Sequence, residues 1–191
     1  MRIISKLFND LRHGVMAAAL AAALAGLAVV MPLAAAAVSA DRVDAKRDWS
    51  IFEATIDGQK VCWVVTQPTA SAAFNNGESV EVRRGDIFLM VAVYPNDQID
   101  SEVMFMAGYP IQAGSKVETK VGDATFTMYP DGENAWLQSK EEDARVVSAF
   151  RGGAEAEVRG VSTRGNTTVD TFSLFGFTAA LSAARTRCSG A

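Results

Sequence analysis

"KVETKVGDATFTMY", residues 116–129, decides the fold. In its first half Val117, Thr119 and Val121 fall on one side of an extended chain, with Lys116, Glu118 and Lys120 on the other. The turn residues of "VGD" reverse the chain, and Ala124, Phe126 and Met128 then repeat the same period of two. A helix cannot keep alternate residues on one face, whereas a strand with one side on a core and one in water does so by geometry. The stretch predicts two half-buried antiparallel strands joined by a tight turn.

The pattern extends in both directions. "AEVRGV" sets Ala156 and Val158 against Glu157 and Arg159, another half-buried strand. "KVCWVV" from Lys60, "DIFLMVAVY" from Asp86 and "EVMFMAGY" from Glu102 are apolar throughout and predict central strands covered on both sides. Turn signals separate the runs: "DGQ" at Asp57, "NNGE" at Asn75, "YPND" at Tyr94, "AGS" at Ala113 and "YPDGEN" at Tyr129. Eight or more short strands punctuated in this way make an all-β antiparallel sandwich or barrel. The mixture of fully apolar and half-buried strands favours a β-sandwich, jelly-roll-like or similar.

Two segments leave the period of two. "KEEDARVVSAFRGG" has acids in front, Arg151 behind and a glycine pair at its end, the polarity of a short internal helix. At the C-terminus Phe177, Ala180, Leu181, Ala184 and Cys188 recur at helical spacing and form one apolar stripe. That stripe predicts a terminal helix packed on the sheet, with Arg185 and Arg187 near its C-terminal end, where positive charge is favoured.

The N-terminus bears on the compartment. Arg2, Lys6 and Arg12 precede an uncharged run from Gly14 to Ala40, and "AAAAVSA" places Val38 and Ala40 at the positions that signal peptidase reads. Residues 1–40 are therefore expected to be a signal peptide, with cleavage after Ala40 preferred to cleavage after Ala37, and residues 41–191 a single domain. The run is also long enough for an uncleaved membrane anchor; the good cleavage site decides against that, so no stable membrane span is expected after processing. Residues 1–40 hold three of the 18 Lys+Arg and one of the 22 Asp+Glu, leaving 15 against 21 and a net charge of −6. An acidic domain argues against nucleic acid as a partner. The one histidine, His13, lies in the leader, so the remaining domain lacks the usual general base and the commonest metal ligand.

Cys62 and Cys188 both lie beyond the leader. An even count in an exported chain reads as a disulfide, free thiols being the alternative. Neither a CxxC spacing nor a histidine is present to activate a catalytic thiol. On the strand, Val61, Trp63 and Val65 point to one side and Cys62 and Val64 to the other, so a Cys62–Cys188 bond would staple the last helix onto an early strand.

The string "STRGNTTVDTFSLFGFTAALSAARTRC" (162–188), preceded by "AGYPIQAGS" (107–115), "AWLQ" (135–138), "DARVVSAFRGG" (143–153) and "AEVRGVS" (156–162), resembles the invasion-associated locus B family of exported proteins of Gram-negative bacteria. The similarity runs from about Trp49 to Cys188. It implies a β-rich domain that is periplasmic, outer-membrane-associated or secreted, in a family whose named members are linked to host-cell entry. No catalytic residues carry over from the family, and the pairing of Cys62 with Cys188 fits its pattern.

Other candidate features have plainer readings. Arg84-Gly85-Asp86 matches an integrin-binding tripeptide, but the same residues suit a polar turn opening the strand that follows. "NTT" at Asn166 matches a glycosylation sequon and equally a turn. Asp131, Glu133 and Asn134 offer oxygens to calcium, but fewer than a recognised loop supplies, so a hairpin turn is expected. Glu141, Glu142 and Asp143 are read as complements to a helix dipole before a hydrolytic carboxylate pair. Lys60, Lys116, Lys120 and Lys140 are the amines considered for a Ser-Lys arrangement, and nothing places one beside a serine. Trp49, Trp63 and Trp136 are read as core before a ligand groove.

The expectation is an exported, non-catalytic protein that binds an unidentified envelope or host-surface component, with no cofactor, metal or catalytic residues. The alternative is a β-sandwich ligand-binding protein or carbohydrate-active enzyme with a carboxylate or aromatic cleft.

Overall fold

The computed structural model describes residues 40–56, 58–94 and 101–189. Residues 1–39 of the proposed signal peptide, Asp57 of the "DGQ" turn and the continuation of the turn after Tyr94 lie outside the described residues. Among the described residues, no helix is long and apolar enough to cross a membrane.

The chain is mostly antiparallel sheet. Its strands are β1 (Asp41–Lys46), β2 (Trp49–Ile56), β3 (Gln59–Thr66), β4 (Ala70–Asn75), β5 (Glu78–Ser79), β6 (Phe88–Val93), β7 (Glu102–Met106), β8 (Val117–Val121), β9 (Ala124–Asp131) and β10 (Asn134–Trp136). After them come helix α1 (Lys140–Gly152), β11 (Glu155–Val161), β12 (Thr167–Ser173) and helix α2 (Phe177–Cys188). The strand order is β1-β2-β3-β6-β7-β10-β9-β8-β11-β12-β4-β5. Most neighbours are joined by hairpins; the excursion is β4–β5, which leaves β3, pairs beyond β12 and returns to β6.

Strand β9 carries the chain between two sheets. Residues 124–128 pair with β8, whereas residues 129–131 pair with β10. The inner faces of the two sheets meet, as the edge-to-face contact of Phe105 on β7 with Phe172 on β12 shows, with ring centroids 6.1 Å apart. This sandwich-like arrangement puts Val117, Thr119 and Val121 inward and Lys120 outward, as the alternation requires. Gly122, at φ +56°, makes the turn to β9.

Both helices cap the same core. Ser139 is the N-cap of α1, accepting from the Glu142 N–H, while the Glu142 carboxylate accepts from the Gln138 N–H. Helix α2 buries Phe177, Ala180, Leu181, Ala184 and Cys188, the stripe read from its spacing. Phe177 packs between Trp49 and Phe150, tying α2 to β2 and α1 at once. At the other end of α2 the bond between Cys62 and Cys188 closes a loop of sequence separation 126, with Cα atoms 5.9 Å apart. Gly176 starts the helix at φ +94°, where a Cβ would run into the carbonyl of Lys46.

Candidate functional site

A surface recess forms a cavity of about 540 Å³. Its walls come from the segment between β5 and β6 (Glu81 to Arg84), the residues after β7 (Gly108 to Pro110), the β9–β10 turn at Glu133, and the β11–β12 hairpin with the start of β12. Loops frame it, and the sandwich fixes where the loops begin.

Its floor is built around Arg84. The guanidinium donates from Nη1 to Asp170 Oδ1 and from Nη2 to Asp170 Oδ2, both at 2.7 Å, a bidentate pair. Nε and Nη2 also donate to the carbonyl of Ala107, at 3.0 and 2.7 Å. Ser71 Oγ donates to Asp170 Oδ1 at 2.7 Å. The two charged side chains are 8% and 0% exposed, so each is desolvated and each needs the other. Above the guanidinium lies the Tyr109 ring, its centroid 4.9 Å away, and the Tyr109 hydroxyl meets Thr168 Oγ1 at 2.6 Å. Burial pushes the Tyr109 phenol above its ordinary value, outweighing the Thr168 hydrogen bond and the Arg84 charge, which act the other way.

Close backbone contact locks this floor. The Gly85 N–H donates to the Gly108 carbonyl at 2.8 Å, and a Cβ on Gly108 would lie 2.6 Å from the Gly85 oxygen. On the far wall, Ser162 Oγ accepts from the Asn166 N–H at 3.1 Å, and Asn75 Nδ2 donates to Asn166 Oδ1 at 2.7 Å. Exposed Arg83 and Arg164 stand at the rim with exposed Glu81. A mixed-charge rim over a neutralised floor suits recognition of a polar surface or small ligand.

The structure distributes the other candidates. Arg84 of the Arg-Gly-Asp tripeptide is buried against Asp170, so the tripeptide cannot offer its arginine to a receptor. Asn166 of the sequon is a turn residue bonded to Asn75. Glu141, Glu142 and Asp143 separate into three roles. The exposed Glu141 carboxyl is held below its ordinary value first by its own backbone N–H and next by Ser139; the Glu142 carboxylate accepts from the Gln138 N–H ahead of the Ser139 cap; and Asp143, buried, accepts from the Val103 N–H of β7 at 2.8 Å. Lys60 pairs with Glu53, which Arg187 also reaches. Asp131, Glu133 and Asn134 bracket the β9–β10 turn, and among the described residues no group of three or more His, Cys, Asp or Glu side chains could hold a metal ion. Trp49 lies in the main core and donates from Nε1 to the Ser173 carbonyl at 3.1 Å, while Trp63 and Trp136 lie on the opposite face of the first sheet.

The Arg84–Asp170 pair was not anticipated, although one signal for it was present. In "TTVDTFS" the period of two places Asp170 on the inward side with Thr168 and Phe172, and an inward charge requires a partner. That Arg84 is the partner, 86 positions away, cannot be read from either segment alone.

Fold and staple together define a disulfide-bonded, sandwich-like β domain capped by two helices. The sequence pattern of the invasion associated locus B (IalB) protein family matches residues 49–185, and the chain belongs to that family. Among solved structures, the crystal structure of invasion associated protein B from Bartonella henselae is similar in fold, with a TM-score of 0.50 at 18% sequence identity, covering 75% of this chain and 96% of that one. No curated protein sequence matches.

Proposed function

We propose that this protein is an exported, non-catalytic binding module that acts by contact with an envelope component or a host-cell surface. Family membership carries the reading, since the similar solved protein is named for an association with invasion. The disulfide supports export, because such bonds persist in oxidising compartments. The leader-like residues 1–40 support a cleaved signal peptide and a periplasmic, outer-membrane-associated or secreted destination. The cavity's inner charges neutralise one another, which favours recognition over chemistry. Arg83 and Arg164 at its rim are the residues assigned to first contact with the partner.

The test is a crosslinking pull-down from intact cells, comparing the wild-type protein with an Arg83→Glu/Arg164→Glu variant. A specific protein captured by the wild type and lost from the variant supports the reading. The second reading, a small-ligand carrier or carbohydrate-active enzyme, is favoured by the volume of the cavity. A small molecule copurifying in place of a protein partner would establish it.

A further inference from the structure

Phe175 is the one large apolar side chain of "TFSLFGF" (171–177) that the core does not take. Phe172, Leu174 and Phe177 are buried, whereas Phe175 is 61% exposed. Among the described residues the other exposed large apolar side chain is Val82, at 37%. A single apolar residue on a surface is ordinary; this one is held from several sides. Its N–H donates to Ser173 Oγ at 3.2 Å, its carbonyl accepts from the Asp48 N–H at 3.3 Å, and Gly176 behind it lies tight against the Lys46 carbonyl. The Arg47 guanidinium covers one side of the ring, 5.0 Å from its centroid. Arg47 itself stands at φ +56°, a left-handed conformation that glycine and asparagine take readily and arginine does not. Such strain concentrates at ligand contacts and switches. Together the two side chains form a fixed aromatic–guanidinium knob, built of residue types enriched at protein interfaces and already ordered before any contact is made.

The same chain carries a recess that matches this knob. The cavity of about 540 Å³ beside Arg84 offers apolar surface from Val82, the Tyr109 ring and Pro110, with room for a phenyl ring. Its charges are complementary to those of the knob. Exposed Glu81 at the rim is an acid for Arg47, and exposed Arg83 and Arg164 are cations for Asp48, which is exposed beside Arg47 in the β1–β2 turn. Knob and cavity cannot meet within one molecule. They lie at opposite ends of β12, which runs from Thr168 in the cavity wall to Ser173 before the knob, five strand steps or about 17 Å away. Phe175 lies further on again.

We propose that Phe175 and Arg47 of one copy seat in the cavity beside Arg84 and Tyr109 of a second copy, so that this chain associates with itself through a heterologous knob-in-cavity contact. Knob and cavity are different surfaces, and a copy that gives its knob still offers its cavity. One knob covers much less than the roughly 1,200 Å² of a stable interface, so the contact is weak and forms where the protein is concentrated. The cavity is the one assigned above to the partner, and the inference rests on its being a recognition site; self-association closes it to other ligands.

Sedimentation equilibrium of the protein, purified from the cells that make it with its disulfide intact and followed up to about 1 mM, tests the contact. The mean mass of the wild type is expected to rise with concentration. Phe175→Ser removes the knob, and Thr163→Trp, on the exposed wall of the β11–β12 hairpin, fills the mouth of the cavity. Each alone should weaken association roughly tenfold or more. An equimolar mixture of the two should recover it, because the first variant keeps its cavity and the second keeps its knob. Glu81→Arg replaces Thr163→Trp in the mixture if thermal unfolding shows the tryptophan variant to be poorly folded. A wild type that stays monomeric, variants that associate as the wild type does, or folded variants whose mixture shows no recovery overturns the proposal. The pull-down reads a different outcome: capture of a partner through Arg83 and Arg164 by a wild type that does not self-associate defeats this inference alone, and self-association without any captured partner defeats the earlier reading alone.

Discussion

Asp170→Asn keeps the shape of a buried side chain and removes its charge. In the native protein Asp170 accepts three hydrogen bonds at 2.7 Å, two from Arg84 and one from Ser71, at 0% exposure. Removing one partner of such a pair leaves an uncompensated buried charge and costs about 3–5 kcal/mol. Here the guanidinium retains the Ala107 carbonyl and the face of Tyr109, which places the expected loss near the lower end. A loss of about 3 kcal/mol in a domain of this size corresponds to roughly 6–12 °C in Tm. Urea unfolding of the oxidised protein at neutral pH measures it, with an unchanged dependence on denaturant confirming a native-state effect. Arg84→Met combined with Asp170→Leu should be less destabilised than Asp170→Asn, because neither charge is left alone. If Asp170→Asn costs less than about 1 kcal/mol, the value of an exposed pair, or if the paired substitution is worse than the single one, Arg84 is solvated and the floor of the cavity has been misread.

Three further outcomes are expected. Cys188→Ser removes the cross-link of sequence separation 126, and chain-entropy reasoning sets the loss at about 5 kcal/mol; equal urea midpoints for the wild type and the variant would contradict the staple. Tyr109 has a phenol raised above its ordinary value of 10.0 by burial, so the stability its burial permits is complete below that value and is lost as pH rises through the folded-state pKa. Tyr109→Phe should cost about 1 kcal/mol at neutral pH through the lost Thr168 hydrogen bond and should flatten the alkaline fall in stability; parallel alkaline limbs for the two proteins would rule this out. Gly176→Ala adds a Cβ at positive φ against the Lys46 carbonyl, and the expected cost is about 2–4 kcal/mol from backbone strain and overpacking together. A neutral result in thermal unfolding would show that the start of α2 can shift away from the β1–β2 turn.

The strands were legible because alternation is local: Val117, Thr119 and Val121 declare their face within five residues, and Gly122 ends the strand. The stripe of α2 was legible for the same reason, at a different period. Much less of the candidate site was readable. Arg84 reads as part of a polar turn opening the next strand, and only the approach of β12 makes it a buried pair with Asp170. Asp143 looked like a dipole complement, and its bond to the Val103 N–H depends on where α1 lands against β7.

By itself the sequence determined that β3, β6, β7, β8, β9 and β11 extend, that two segments coil, where most of the turns fall, and that Trp63 and Cys62 face opposite ways on one strand. Tertiary structure decided which strands are neighbours: the excursion of β4–β5 to the far side of β12 and the passage of β9 from one sheet to the other. It also decided which charges meet. Backbone geometry repeats every two or 3.6 residues and leaves its mark in composition. Pairing between positions 86 or 126 apart leaves none, because it depends on the whole chain closing around one core.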